Sequence, residues 1–432
     1  MKTYLRIAEY IFTVVSLLFY TGGPLVVILS GGHSEGLSTA PPDFAIVRLC
    51  FLLIYIITLC YLAPHWKRAA YLLVKDKWIL LLMIIIFFSI FWSVDARQTI
   101  TRSVAIFGTT LFGIYFATRY SLKQQLYLLG WALGLASVMS VLFAVALPRY
   151  GIMQGVHAGD WRGIYTHKNG LGANMALSTI TFLVLAVSDK KRTWIFCIGI
   201  FLSLLLLLLS TSTSPLVYLM VLTPTFVVAR IFRWSYRLKT LAISLVMTLS
   251  YVLAIVGVTQ AEAIARAFGK DLTLTGRTTL WGYVWELIQK KPWLGYGYGA
   301  LWSDTRSATG HIWQILGWEA PHAHNGFLEV WLGLGILGLS VLVIHIATRF
   351  VRILTLISQT KASVYFFPLM ILLLTIINNL TEYTVMERNS IYWILYVSTT
   401  LSLQLKSSTE DTSFSSAQYA DRKKSALTYH VT

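Results

Sequence analysis

Three segments of this 432-residue chain hold residues whose types and spacing could do chemistry. In the first, His322, His324 and Asn325 stand just ahead of a long apolar run, and Glu329 follows on the same stretch. A histidine at the mouth of a helix bundle suits a general base or an oxyanion contact. Glu329 could orient that ring, or simply line a wet cavity. Two histidines at i, i+2 could also ligate a metal. No cysteine and no second histidine pair of standard spacing lies nearby, so no metal is expected. The second segment, TGRTTLWGYVWELIQKKPW, reads as a short helix over 277–291. Thr275 would cap it, Leu280, Trp281, Val284, Trp285 and Ile288 form its apolar stripe, and Pro292 stops it. Arg277 at its start could hold an anion between its guanidinium fork and the free backbone N–H groups. The third segment, GDWRGIYTHKNGLGAN, gathers Arg162, His167 and Lys168, with Asn169 and Asn174 following. Bland readings exist for each: a packing helix, a structural histidine, a solvated loop. Taken together, two arginines, a lysine and a histidine suit a pyrophosphate joined to a long lipid. No paired carboxylates of a hydrolase and no Ser-His-Asp arrangement stand out.

The elements that must position these groups are membrane helices. The chain is 56% hydrophobic and 12% charged, with a mean hydropathy of +0.67. Soluble domains have about 25% charged residues, and no water-soluble fold hides this much apolar surface. The expected class is an all-α integral membrane protein of twelve spans. They lie at 7–29, 44–63, 78–93, 100–118, 125–147, 170–187, 194–209, 215–232, 238–258, 324–346, 364–380 and 391–405. Residues 1–406 form one polytopic domain, and the polar 407–432 tail reads as disordered. The cysteines sit inside apolar runs as small hydrophobes.

The net charge of +17 does not mark a nucleic-acid binder, because the lysines and arginines fall in short clusters between apolar runs. With both termini in the cytoplasm, the basic clusters fall on the cytoplasmic side, as the positive-inside rule requires. Two segments then face outward and are unlike the rest: 148–169, and the long loop 259–323 between the ninth and tenth helices. The first is basic on the side that should be poor in lysine and arginine, which suggests anionic work. Trp281, Trp285, Trp293 and Trp302 suit the headgroup layer. GYGYG at 295–299 follows no strand and is no dinucleotide fingerprint. It reads as a flexible turn whose tyrosine faces could meet sugar.

HAHNGFLEVWLGLGILG, with His324-Asn325 followed by Gly335 and Gly338, resembles the signature of the O-antigen ligase and O-antigen polymerase superfamily. TGRTTLW…PWLGYGYGALW and WRGIYTHKN resemble the same family, closest to its exopolysaccharide polymerase branch. The resemblance implies a bacterial plasma-membrane glycosyltransferase that uses an undecaprenyl-pyrophosphate-linked glycan as donor and a glycan or lipid-linked acceptor. It implies no cofactor and no metal, and other polysaccharide assembly or chain-length proteins as possible partners. Carried over by motif, Arg277 would meet the donor pyrophosphate and His324 would act on the acceptor hydroxyl. Arg162, Lys168, His167, Asn325, Glu329 and His322 are the further candidates for binding pyrophosphate or glycan. The ligases bear another arginine after the seventh helix, where this chain reads STSTSP at 210–215. That departure favours a polymerase and leaves Arg162 or Lys168 to supply the charge. A flippase for the same lipid-linked glycans is the competing class, but the chain shows no clear internal repeat and few midplane charges.

Overall fold

The computed structural model describes residues 2–32, 44–231, 277–302, 309–317, 319–360 and 362–404. In chain order the helices begin with α1 (Lys2–Tyr20), α2 (Leu25–Leu29), α3 (Ala45–Leu62), α4 (Trp66–Lys75), α5 (Lys77–Phe88) and α6 (Ala96–Arg119). There follow α7 (Leu122–Ala146), α8 (Pro148–Gly151), α9 (Lys168–Ser188), α10 (Thr193–Leu209) and α11 (Thr213–Ile231). The last are α12 (Arg277–Lys290), α13 (Gly310–Leu316), α14 (Gly326–Thr360), α15 (Phe366–Asn378) and α16 (Ile391–Ser402). The fold is all-helical among the described residues, with one isolated bridge between Ile152 and Trp161. Among the described residues, seven helices are long and apolar enough to cross a membrane. Helices are the natural answer for such sequences, because they satisfy every backbone polar group within one segment. The expected ninth span at 238–258, the Thr275 cap and the 407–432 tail lie outside the described residues.

Local chemistry sets the helix starts. Asp95 accepts from the N–H of Gln98 ahead of α6, and Ser121 with Gln124 forms a capping box ahead of α7. Helix α6 has 24 residues, so it runs about 36 Å. Its C-terminal Arg119 pairs with Glu9 of α1, and its first turns reach the Trp-rich segment at the other end. Large apolar side chains such as Leu49, Leu142 and Phe201 stay exposed on the outside of the bundle, where lipid would cover them. Its interior is filled by Phe112, Phe116, Trp393 and their neighbours.

Two of the expected spans need correction. The first span is not continuous over 7–29, because Gly22, Gly23 and Pro24 separate α1 from α2. Pro24 has no N–H to offer a helix, and Gly23 lies so close to Ile164 that a Cβ would come 2.7 Å from its carbonyl oxygen. The tenth span does not end at 346. It continues to Thr360, and buried Arg349 on its extension pairs with Asp76 at 3.7 Å. That helix is also broken at Gly335, whose φ of 68° and ψ of −175° are non-helical.

The break explains GYGYG. At Gly335 the α14 carbonyls of Leu332 and Gly333 lose their helical partners, and the N–H groups of Tyr296 and Gly297 take them at 2.9 Å each. In return, the N–H of Ile336 bonds the Pro292 carbonyl at 2.8 Å. The tyrosines are not free faces for sugar. Tyr296 and Tyr298 are buried, and their hydroxyls donate to the carbonyls of Leu287 and Met386. GYGYG is a rigid insert that satisfies the polar groups of an interrupted helix.

Candidate functional site

The loop between α15 and α16 brings the first two segments together. Asn379 orders it: its Oδ1 accepts from the N–H groups of Thr384 and Val385, and its own carbonyl accepts from the Gly326 N–H. Gly326 must lack a side chain here, since a Cβ would lie 2.0 Å from Asn379 Oδ1. This loop presents Glu382 to both sequence-derived candidates. Arg277 Nη2 donates to Glu382 Oε1 at 2.8 Å, and His324 Nδ1 lies 3.2 Å from Oε2. Arg277 also donates to the carbonyl of Thr381, whose hydroxyl bonds Tyr218 of α11 at 2.7 Å. One carboxylate therefore holds both candidates, and the side chains of Arg277, His324 and Glu382 are 16%, 6% and 25% exposed.

Burial by itself would raise the Glu382 carboxyl. The His324 hydrogen bond and the Arg277 charge outweigh it and hold the group at about 2. An ionised carboxylate can only accept, so His324 donates to it from Nδ1, which leaves Nε2 to carry the lone pair whenever the ring is neutral. His322 sits against this ring, centroid to centroid 4.3 Å, and its Nδ1 accepts from the His324 N–H at 3.1 Å. Burial, with the His324 charge adding to it, pulls His322 down to about 3, so it stays neutral.

The backbone of His324 is left-handed, at φ 47°. Such a conformation costs a non-glycine residue energy and persists only where neighbours hold it. Here the preceding residue is clamped from two sides. Trp281 Nε1 donates to the Ala323 carbonyl at 2.9 Å, and Glu329 Oε2 accepts from the Ala323 N–H at 2.8 Å. Glu329 therefore acts on His324 through the main chain. It also accepts from Trp302 Nε1 at 2.9 Å, which buries that indole and removes Trp302 from the headgroup layer; Trp293 and Trp285 remain exposed. Asn325 caps α14, its Oδ1 accepting from Phe327 and Leu328 N–H groups.

The third segment lies in electrostatic reach of this centre. Burial, with the charges of His157 and Lys168 adding to it and Glu382 opposing, lowers His167 to about 4. His167 Nδ1 accepts from the Asn169 N–H and so caps α9. Lys168 Nζ pairs with Asp160 at 2.7 Å and donates to Thr211 Oγ1 at 3.2 Å. That places a cation against 210–215, the stretch that lacks an arginine of its own. Arg162 is fully buried and donates to the carbonyls of Tyr150, Arg149, Thr166 and Gly32. It staples the 148–166 loop to the turn after α2, while the Lys168 amine keeps some exposure to solvent.

Among the described residues, His322, His324 and Glu382 could hold a metal ion, with ligand atoms within 4.8 Å of one another. The fit is poor. Arg277 already occupies one Glu382 oxygen and His324 the other, and both Arg277 and Arg102 project positive charge onto His322. The surroundings suit an anion better than a cation. Sequence reasoning missed Glu382 altogether, although the polar TEYTVMERN stretch between two apolar runs marked an acidic loop at this end.

Comparison with known proteins agrees with the motifs. Residues 198–343 match a family model described as O-Antigen ligase, a stretch that includes Arg277, His324 and Gly335 but not Glu382. The chain is 25% identical over 283 residues to the exopolysaccharide production protein ExoQ of Rhizobium meliloti, covering 63% of this chain and 64% of that protein. It is also 25% identical over 231 residues to a putative polysaccharide ligase of Rickettsia felis, covering 52% of this chain and 54% of that one. The matches thus span less than two thirds of either relative. The resemblance to the O-antigen ligase superfamily stands, with HAHNG and TGRTTLW inside the matched stretch and WRGIYTHKN outside it.

Proposed function

We propose, from an O-antigen ligase-type region that holds both Arg277 and His324, that this chain is a multi-pass glycosyltransferase. It polymerises undecaprenyl-pyrophosphate-linked repeat units into exopolysaccharide or O-antigen at the outer face of the bacterial inner membrane, with both termini cytoplasmic. The observation that supports it most is the bridging of Arg277 and His324 by the two oxygens of Glu382. His324 Nε2 takes the proton of the acceptor hydroxyl as that oxygen bonds the donor's anomeric carbon. The bond from this carbon to the pyrophosphate breaks, and the departing negative charge falls on Arg277 and Lys168. The reaction asks chiefly for orientation and charge stabilisation, which fixed cations near lipid supply without a metal. Direct displacement inverts the anomeric centre. An NMR assignment that finds the donor anomer retained in the product counts against this route.

A ligase reading also has support. Lys168 at Thr211 supplies a cation to 210–215, so the missing arginine no longer favours a polymerase over a ligase. The more broadly matched relative is named for exopolysaccharide production, and this tips the choice to polymerase. Incubation of the purified chain with lipid-linked donor alone decides. A mass ladder of repeats supports polymerisation, and product only after addition of lipid A-core overturns it in favour of ligation.

A further inference from the structure

Beside the centre just described, two more arginines converge. Arg102, in the first turns of α6, donates from Nη2 to the Trp302 carbonyl at 3.2 Å. Gly299, in the left-handed region at φ 64°, leaves it room: a Cβ there would lie 2.5 Å from Arg102 Cδ. Arg388 is exposed on the loop before α16, and after burial its charge is the strongest neighbouring influence on Arg102, ahead of the opposing charge of Glu329. Tyr298 feels both guanidinium groups, and His322 feels Arg102 and Arg277 together. The position of Arg388 is built. Met386 and Asn389 flank it with φ of 56° and 57°, a strained pair of non-glycine residues in one short loop. Anchors hold both: the Met386 carbonyl accepts from the Tyr298 and Tyr383 hydroxyls, and the Asn389 N–H donates to Thr109 Oγ1 at 2.9 Å.

Two like charges drawn together repel unless something negative lies with them. The acids that face them offset this repulsion only in part: Glu329 acts on Arg102 and Glu387 on Arg388, and neither forms an ion pair with them. Glu329 has its oxygens engaged by Trp302 and Ala323. Burial raises Glu387 to about 7 against the pull of Ser390 and Arg388, so it is only partly ionised near neutrality. Among the described residues no ion pair joins Arg102 or Arg388 to a carboxylate. The anchor at Thr109 holds this loop along α6, the helix that bears Arg102, so the loop brings a second guanidinium to the same helix without an ion-pair partner among the described residues.

We propose that Arg102 and Arg388 form a second anion-binding subsite, within reach of His322, that takes an oxyanion group of the acceptor. The assignment of the anion to the acceptor rests on the glycosyl-transfer reading above; the subsite itself does not. Two sources share the chemistry: the pyrophosphate of a second lipid-linked molecule and the carboxylate of an acidic sugar.

The test uses the full chain in nanodiscs titrated with inorganic pyrophosphate by calorimetry. The wild type is expected to bind two equivalents. Arg388→Ala removes an exposed side chain, so it should melt like the wild type and weaken one equivalent at least ~10-fold, the loss of a charge-assisted bidentate pair. Arg102→Lys, which keeps the charge but loses the fork, should weaken the same equivalent. Arg277→Ala should weaken the other. A wild type that binds one equivalent, lost in Arg277→Ala alone, overturns the subsite, as does an Arg388→Ala isotherm identical to the wild type. Displacement of the Arg388-dependent equivalent by glucuronate supports the subsite with a sugar acid as source. Resistance to glucuronate with the equivalent retained supports it with a phosphate source. Two equivalents in a chain that makes no glycan from any lipid-linked donor would sink the transferase reading and leave the subsite standing.

Discussion

Replacing Glu382 with glutamine probes the centre most directly, because it keeps the shape and removes the charge. The glutamine oxygen can accept from Arg277 or from His324 Nδ1–H, but its amide N–H₂ then confronts the other donor. The size of the loss can be bounded from the structure. The carboxyl sits at about 2 against an ordinary 4.5, and at 1.36 kcal/mol per unit that is about 3 kcal/mol of preference for the charged form. The sign follows from linkage. A depressed carboxyl contributes stability that is fully present above about 4.5 and is lost as pH falls through about 2. The carboxylate is therefore charged at any working pH, and Glu382→Gln should lose activity across the whole range. Three kcal/mol corresponds to a factor of about 10², and misorientation of a general base can extend the loss toward about 10⁴. The assay is the initial rate of polymer formation from purified lipid-linked donor by Glu382→Gln, His324→Ala and the double variant. Residues that act as one unit are not additive, so the double variant should fall within about 3-fold of His324→Ala. If the two losses multiply, or if Glu382→Gln keeps a rate within about 3-fold of wild type, the shared-carboxylate argument is wrong.

Other outcomes follow from the same geometry. Arg277→Ala and His324→Ala should each reduce the polymer made in cells to a trace at unchanged protein level; normal product in either removes that residue from the mechanism. Lys168→Gln should raise the donor KM, since its amine stands at Thr211, whereas Arg162→Lys should mainly lower the yield of folded protein, since its fork staples carbonyls. The opposite pattern would reverse the two roles. Gly335→Ala would put a Cβ 2.0 Å from the Trp293 carbonyl oxygen at a left-handed backbone, and should destabilise by roughly 3 kcal/mol or more. An unchanged melting temperature in detergent would refute that. Chelators should leave the activity of the purified protein intact; loss restored by a divalent ion would show that His322, His324 and Glu382 hold a metal after all.

Much of the architecture was legible because it is local. An apolar run long enough to span lipid is helical wherever it sits, so helices stand at every expected stretch but the one at 238–258, which lies outside the described residues. Their ends were less legible. Gly22-Gly23-Pro24 reads as part of an apolar run until the approach of Ile164 is known. The α14 extension around Arg349 reads as a loop until Asp76 comes into view. GYGYG looks mobile in isolation, and only the broken helix opposite it makes it rigid. Arg277 and His324 stood out because cations and histidines beside lipid are costly and conspicuous.

Taken alone, the amino-acid order determined that the chain is helical and lipid-embedded, and which cationic and imidazole groups crowd toward one end. Folding decided what those groups do. Glu382 is 58 positions from His324 and 105 from Arg277, and no pattern along the chain links them. Only packing of α14 against α15, with glycine at 326 and Asn379 ordering the loop, sets one carboxylate between both. Helix formation depends on neighbours a few residues apart, whereas a shared ion pair depends on the path of the whole chain.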